Sequence, residues 1–211
     1  MFKRLMLTLS LLLLAMSCSA QEGAATFTAG KHYDVINNQV ARTASRDKIE
    51  VAEFFWYGCG HCYSFEPLLQ EWKKNLPEDV EFRAIPAIWR EVMELHARAF
   101  YTAEALGVAD TMHMAIFQAM NVDQKRLQSV GEISSLFEAN GVSSADFEKT
   151  FNSFGVSSQV RQAVAAAKSA GITGTPSMMV NGRYHLSTTK AGGQVEMLKV
   201  ADFLIEQERA K

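Results

Sequence analysis

The apolar positions of the chain fall into two different periods. Ile49 to Tyr57 reads IEVAEFFWY, with Ile49, Val51 and Phe55 on one face of a strand and Ala52, Phe54 and Trp56 on the other. A strand that is apolar on both faces belongs in the middle of a sheet, covered on both sides. Tyr63 to Leu76 has the spacing of an amphipathic helix, and Pro67 inside it predicts a kink. Val80 to Ala84 reads as a second short strand, so residues 49–84 form a β-α-β unit. Val35 to Val40 predicts an earlier strand.

Over residues 87–154 no strand pattern occurs. Val92, Leu95, Ala99, Ala103 and Leu106 have helical spacing, and Asp110 to Met120 reads as a second helix. Ser129 with Glu132 is a capping box for a third helix. Ser143 or Ser144 caps a fourth, running to about Phe154, and Gly107 and Gly141 are helix stops. Strand signals then return. Ser157 to Ala170 is an Ala-rich helix ending at Gly171. Met178 to Val180 and Arg183 to Leu186 flank Asn181-Gly182, a strong hairpin signal. A last helix runs from about Gln194 to Arg209. The order β-α-β, helical insert, α-β-β-α predicts an α/β fold with a mixed sheet and an inserted all-helical domain.

The chain begins differently. Lys3 and Arg4 precede an apolar run from Leu5 to Ala15, and small residues follow at Ser17, Ser19 and Ala20. That is the layout of a secretory signal peptide over residues 1–20, too short to span a membrane, which takes about 20 apolar residues. Cys18 raises a second possibility, a lipidated cysteine, but Ala15 and Ser17 fit that motif poorly. The full chain carries 21 Lys and Arg against 23 Asp and Glu, net −2; losing Lys3 and Arg4 leaves −4. Mild acidity argues against nucleic acid as a partner.

Cysteine usage narrows the chemistry. If Cys18 leaves with the leader, Cys59 and Cys62 are the only pair. A bridge across two intervening residues constrains the unfolded chain little, so the pair is free for chemistry. Cys59 follows a buried strand and opens a helix, where free backbone N–H groups and the helix dipole stabilise a thiolate. That setting makes Cys59 the nucleophile and a good leaving group. Cys62 lies one turn on, is expected to be more buried, and can resolve. An imidazole at His61 near Cys59 would favour the thiolate further. Zinc would need four ligands; no second CxxC is present, and His32, His96, His113 and His185 lack ligand spacing. No metal is expected, and no cofactor beyond the redox-active disulfide Cys59–Cys62.

The segment FFWYGCGHCYSFEP resembles the active-site segment of the DsbA family of periplasmic disulfide oxidoreductases, and the similarity continues through NSF at 152–154, GTP at 174–176 and VNGRY at 180–184. The resemblance implies a thioredoxin fold, with the helical insert where that family carries one. It implies that Pro176 is a cis-proline facing the cysteines, with Thr175 presenting its backbone to an extended client peptide. It implies that Glu53, the one charge in the apolar strand, is a buried acid that relays the Cys62 proton, the alternative being a strand acid that reaches solvent. Trp56 and Tyr57 are either core or lining of the substrate surface. Two residues depart from the family's usual pattern: Gly60 where Pro is common, and Thr175 where Val is common.

These readings predict a signal peptide at 1–20, a first thioredoxin-like part at 21–86, a helical insertion domain at 87–154 and a second thioredoxin-like part at 155–211. They predict a periplasmic, monomeric thiol–disulfide oxidoreductase that introduces disulfides into unfolded exported proteins with free thiols. By resemblance it is reoxidised by a DsbB-type membrane quinone reductase. The alternatives are an isomerase or reductase of the same fold, or a non-catalytic peptide- or metal-binding module.

Overall fold

The computed structural model describes residues 26–37 and 40–211. The expected signal peptide and Cys18 lie outside the described residues. The sheet is built from β1 (Asp34–Val35), β2 (Ile49–Phe55), β3 (Val80–Pro86), β4 (Ser177–Val180) and β5 (Tyr184–Ser187), in the order β1-β5-β4-β2-β3. Strand β2 runs parallel to β3 and antiparallel to β4, and β4 pairs antiparallel with β5. Every residue of β2 is buried, as its two apolar faces require. The parallel β2–β3 pair is joined by α1 (Gly60–Lys74), which closes the β-α-β unit.

The Asn181-Gly182 turn forms as expected. Both residues have positive φ, 53° and 65°, and Arg183 N–H donates to the Val180 carbonyl at 3.0 Å. A Cβ on Gly182 would run into the Val40 carbonyl, so this turn needs glycine for space as well as for conformation. The first strand is shorter than expected: β1 is only Asp34–Val35, paired with Tyr184 and His185. Beyond it, Ile36 and Val40 still donate single backbone bonds to Arg183 and Gly182.

The insert contains α2 (Glu91–Ala105), α3 (Ala109–Asn121), α4 (Val130–Ala139) and α5 (Ser144–Phe151). Ser129 caps α4 by accepting from Glu132 N–H at 3.2 Å, while the Glu132 carboxylate accepts from Gln128 N–H at 2.9 Å. Helix α5 stops at Phe151 instead of about Phe154. Ser153 accepts from Val156 N–H and starts α6 (Phe154–Ser169) three residues earlier than the Ala-rich pattern suggests. A short α7 (Thr188–Ala191), absent from the apolar pattern, is capped by Ser187 and precedes α8 (Gln194–Arg209).

Two clusters of buried side chains hold these layers. Ile49, Val51, Phe65, Leu69, Met178 and Leu186 pack with α8 on one side of the sheet. Ala52, Phe54, Phe55, Tyr57 and Ile85 pack with α6 and the insert in the other cluster. The insert therefore meets the sheet at the end of β2, where the cysteines follow. No helix among the described residues is long and apolar enough to cross a membrane.

Candidate active site

Cys59 is the N-cap of α1, so the helix starts at Gly60, three residues before its apolar pattern begins. Its N–H donates to the Trp56 carbonyl at 3.0 Å and its carbonyl accepts from Tyr63 N–H at 3.0 Å. The chain thus turns sharply from β2 into the helix and leaves the Cys59 sulfur at the helix N-terminus, half-buried. Both cysteines are free thiols.

The two sulfurs differ strongly in acidity. The Cys59 thiol is lowered from 9.0 to about 5. The largest cause is the hydrogen bond from the Cys62 thiol; burial opposes it, and the Thr175 side chain and the backbone N–H groups of Cys62 and His61 add to the lowering. The Cys59 thiol also lies 3.4 Å from the Thr175 carbonyl, a contact that favours the protonated form and is outweighed by these donors. Cys62 is fully buried, and burial, the neighbouring Cys59 and the charge of Glu53 push its thiol far up.

Glu53 is 1% exposed, and its Oε1 has no hydrogen-bond partner. Burial first, and then the charge of Glu66, raise its carboxyl well above the usual range, against a small opposing pull from Lys73. The same side chain lines a cleft of roughly 450 Å³ with Glu66, Lys73, Glu104 and His113. The alternative of a strand acid pointing freely into solvent is excluded by its burial.

The Thr175–Pro176 peptide bond is cis, and the Ser177 hydroxyl closes the loop on the Gly174 carbonyl at 2.8 Å. His61 is exposed. Its backbone N–H is among the donors that lower the Cys59 thiol. Trp56 is half-buried beside the cysteine turn, and its indole covers Gly58. Tyr57 is 1% exposed, so of the two readings, core or lining of the substrate surface, its burial matches core. Its ring packs against Phe55 and Phe117, and its hydroxyl meets His113 Nδ1 at 2.9 Å.

Three residues of the insert that the sequence did not single out reach this segment. His96 accepts from the Trp56 indole, His113 binds the Tyr57 hydroxyl and lies 3.4 Å from Glu66, and Asn121 donates to the Tyr57 carbonyl at 2.8 Å. The one available signal was His96 within the otherwise apolar stripe of α2, and its partner was not readable from the spacing.

Residues 50–204 match the family described as DSBA-like thioredoxin domain. The chain is 41% identical over 184 residues to the thiol:disulfide interchange protein DsbA of Pseudomonas aeruginosa, covering 87% of each. It is 42% identical over 181 residues to the protein of that name from Azotobacter vinelandii, covering 86% of this chain and 84% of that one. The crystal structure of Pseudomonas aeruginosa DsbA superposes with a TM-score of 0.83 at 41% identity, covering 87% of this chain and 95% of that one. The oxidoreductase DsbA from Xylella fastidiosa superposes with a TM-score of 0.81 at 32% identity, covering 87% and 98%. With a thioredoxin fold, a helical insert and an acidic thiol at the head of the helix after the central strand, the chain belongs to the DSBA-like thioredoxin domain family.

Proposed function

We infer that this chain is a thiol–disulfide oxidoreductase that introduces disulfide bonds into exported proteins, with Cys59 as the reacting sulfur. The observation that carries this reading is the split in acidity between the two sulfurs. Cys59 is half-exposed with its thiol lowered to about 5, while Cys62 is buried with its thiol pushed up. A disulfide joining two such sulfurs is attacked at the reachable one.

In the oxidised protein a client thiolate attacks Cys59 Sγ. The Cys59–Cys62 bond breaks, a mixed disulfide forms, and its electron pair leaves on Cys62. Burial raises the Glu53 carboxyl, which favours its protonated form and suits it to supply the proton that Cys62 needs. A second client thiolate then attacks the client sulfur of the mixed disulfide, and Cys59 leaves as a thiolate. Its low pKa makes it a good leaving group and stabilises the reduced protein, which is the source of oxidising power. Two electrons have passed from the client to the cysteine pair, and the redox-active disulfide itself is the cofactor of the reaction.

Thr175, before cis-Pro176, lies against Cys59 and is the natural place for an extended client backbone, with Trp56 at the rim. Client proteins with free thiols, a periplasmic location and a quinone-linked membrane reoxidant of the DsbB type complete the proposal. The test is trapping. Cys62→Ala is expected to form a lasting mixed disulfide when its Cys59 thiolate displaces glutathione from the glutathione mixed disulfide of a one-cysteine client peptide, and Cys59→Ala is expected to form none. Mixed disulfides that form only through Cys62 would reverse the assignment.

A further inference from the structure

Trp56 reaches both cysteines with its backbone, one at its main chain and the other at its sulfur. Its carbonyl accepts from Cys59 N–H at 3.0 Å, and its own N–H faces the Cys62 sulfur. Its side chain is fixed elsewhere, on the helical insert. The indole Nε1–H donates to His96 Nδ1 at 3.0 Å, and His96 Nε2 lies 3.0 Å from the Leu127 carbonyl. Both bonds are satisfied by one neutral tautomer, with the proton on Nε2 and the lone pair on Nδ1. His96 is 1% exposed, and burial pushes its pKa below the ordinary histidine value, so that tautomer persists.

The indole is confined on several sides. The imidazole lies nearly parallel to it, at 18° with ring centroids 6.3 Å apart. The Arg90 guanidinium sits 5.8 Å from the ring centroid. On the cysteine side the indole rests on Gly58, where any Cβ would run into the ring. A side chain held this firmly, on the first residue of the turn that carries Cys59, sets the direction of its own peptide groups.

We propose that His96 is a positioning residue for the redox pair. From the insert it holds the Trp56 side chain and so fixes the Trp56 carbonyl and N–H that face Cys59 and Cys62. Hydrogen bonds weaken steeply as they lose alignment. Without the His96 anchor the 56–59 turn loosens, the donors around the Cys59 sulfur are less well aimed, and the thiolate is less favoured. The inference rests on the reading of Cys59 and Cys62 as the reacting pair.

The test measures the Cys59 thiolate directly, by its ultraviolet absorbance and by alkylation rate against pH. Neither readout requires oxidase activity, so a failed oxidase assay leaves the result interpretable. His96→Leu removes both hydrogen bonds. His96→Gln restores them, since Oε1 accepts from the indole and Nε2 donates to the Leu127 carbonyl, with no charge. Trp56→Phe removes the donor and keeps a ring. His96→Leu and Trp56→Phe are each expected to raise the Cys59 midpoint by roughly half a unit to one unit, a three- to tenfold loss of thiolate below the midpoint. His96→Gln is expected to titrate as the parent. The double variant is expected to move no further than either single one, because both act through one bond. A destabilised His96→Leu protein that still titrates as the parent would overturn the proposal by reducing His96 to a packing role. Full additivity in the double variant, or a His96→Gln protein that shifts like His96→Leu, would do the same. If His96→Leu does not fold, Trp56→Phe and His96→Gln decide: the first must shift and the second must not.

Discussion

The acidity of Cys59 predicts how the reduction potential depends on pH. Each proton taken up with the two electrons changes the potential by about 30 mV per pH unit. Below the Cys59 midpoint of about 5, reduction takes up two protons. Above it Cys59 stays a thiolate while Cys62, pushed up by burial, stays a thiol, so reduction takes up one. The slope is therefore expected to be about 59 mV per unit below pH 5 and about 30 mV per unit above it. The sign follows from the lowered pKa: the stabilisation of the reduced form is present above the midpoint and is lost as pH falls through it. At pH 7 a thiol that titrates at 5 instead of 9.0 is about 99% ionised, and two units of avoided protonation amount to about 60 mV. The sulfur is only half-buried, so solvent screening reduces this to roughly 30–60 mV relative to a variant with an ordinary thiol. The assay equilibrates the protein with glutathione buffers from about pH 4 to about pH 8 and counts free thiols by alkylation, with the proton dependence of glutathione subtracted. Glu53→Gln, measured in parallel, removes any contribution from the buried carboxyl. A single slope near 59 mV across the range, or a break above pH 7, would refute the argument.

Three further outcomes follow from the same geometry. Glu53→Gln is expected to slow redox cycling without unfolding the protein. Because burial raises the Glu53 pKa, its favourable contribution is complete below the unfolded value and is lost as pH rises through the folded one. The variant should therefore gain stability over the parent at alkaline pH and match it near pH 4, and thermal unfolding at both pH values checks this. Gly60→Pro is expected to be the stronger oxidant. Gly60 N–H is not among the donors that lower Cys59, a Cβ there meets nothing closer than Asn121 Oδ1 at 3.9 Å, and proline stiffens the first helical turn; a less oxidising variant in the glutathione assay would contradict this. Thr175→Val is expected to raise the Cys59 midpoint by about one unit through loss of a hydrogen bond to a charged group, and an unchanged thiolate titration would remove Thr175 from the list of causes.

The sequence by itself carried the local part of this protein. The doubly apolar run at 49–57, the Asn-Gly turn, the capping serines and the helical spacing of 87–154 are interactions between near neighbours, and the elements they predict are present with ends that moved by a few residues. The position of Cys59 between strand and helix was legible for the same reason. What only the tertiary structure decided depends on residues distant in the chain. Thr175 meets Cys59 across 116 residues, and His96 meets Trp56 across 40. Tyr57 reads as a candidate surface aromatic until His113 and Phe117 of the insert enclose it. The unpartnered carboxyl oxygen of Glu53 exists because α1, β3 and the insert close around one strand position and supply no donor there. Periodicity records which face of an element is apolar, but not which side chain of another element will stand opposite it, and the acidity of Cys59 is set by those opposing groups.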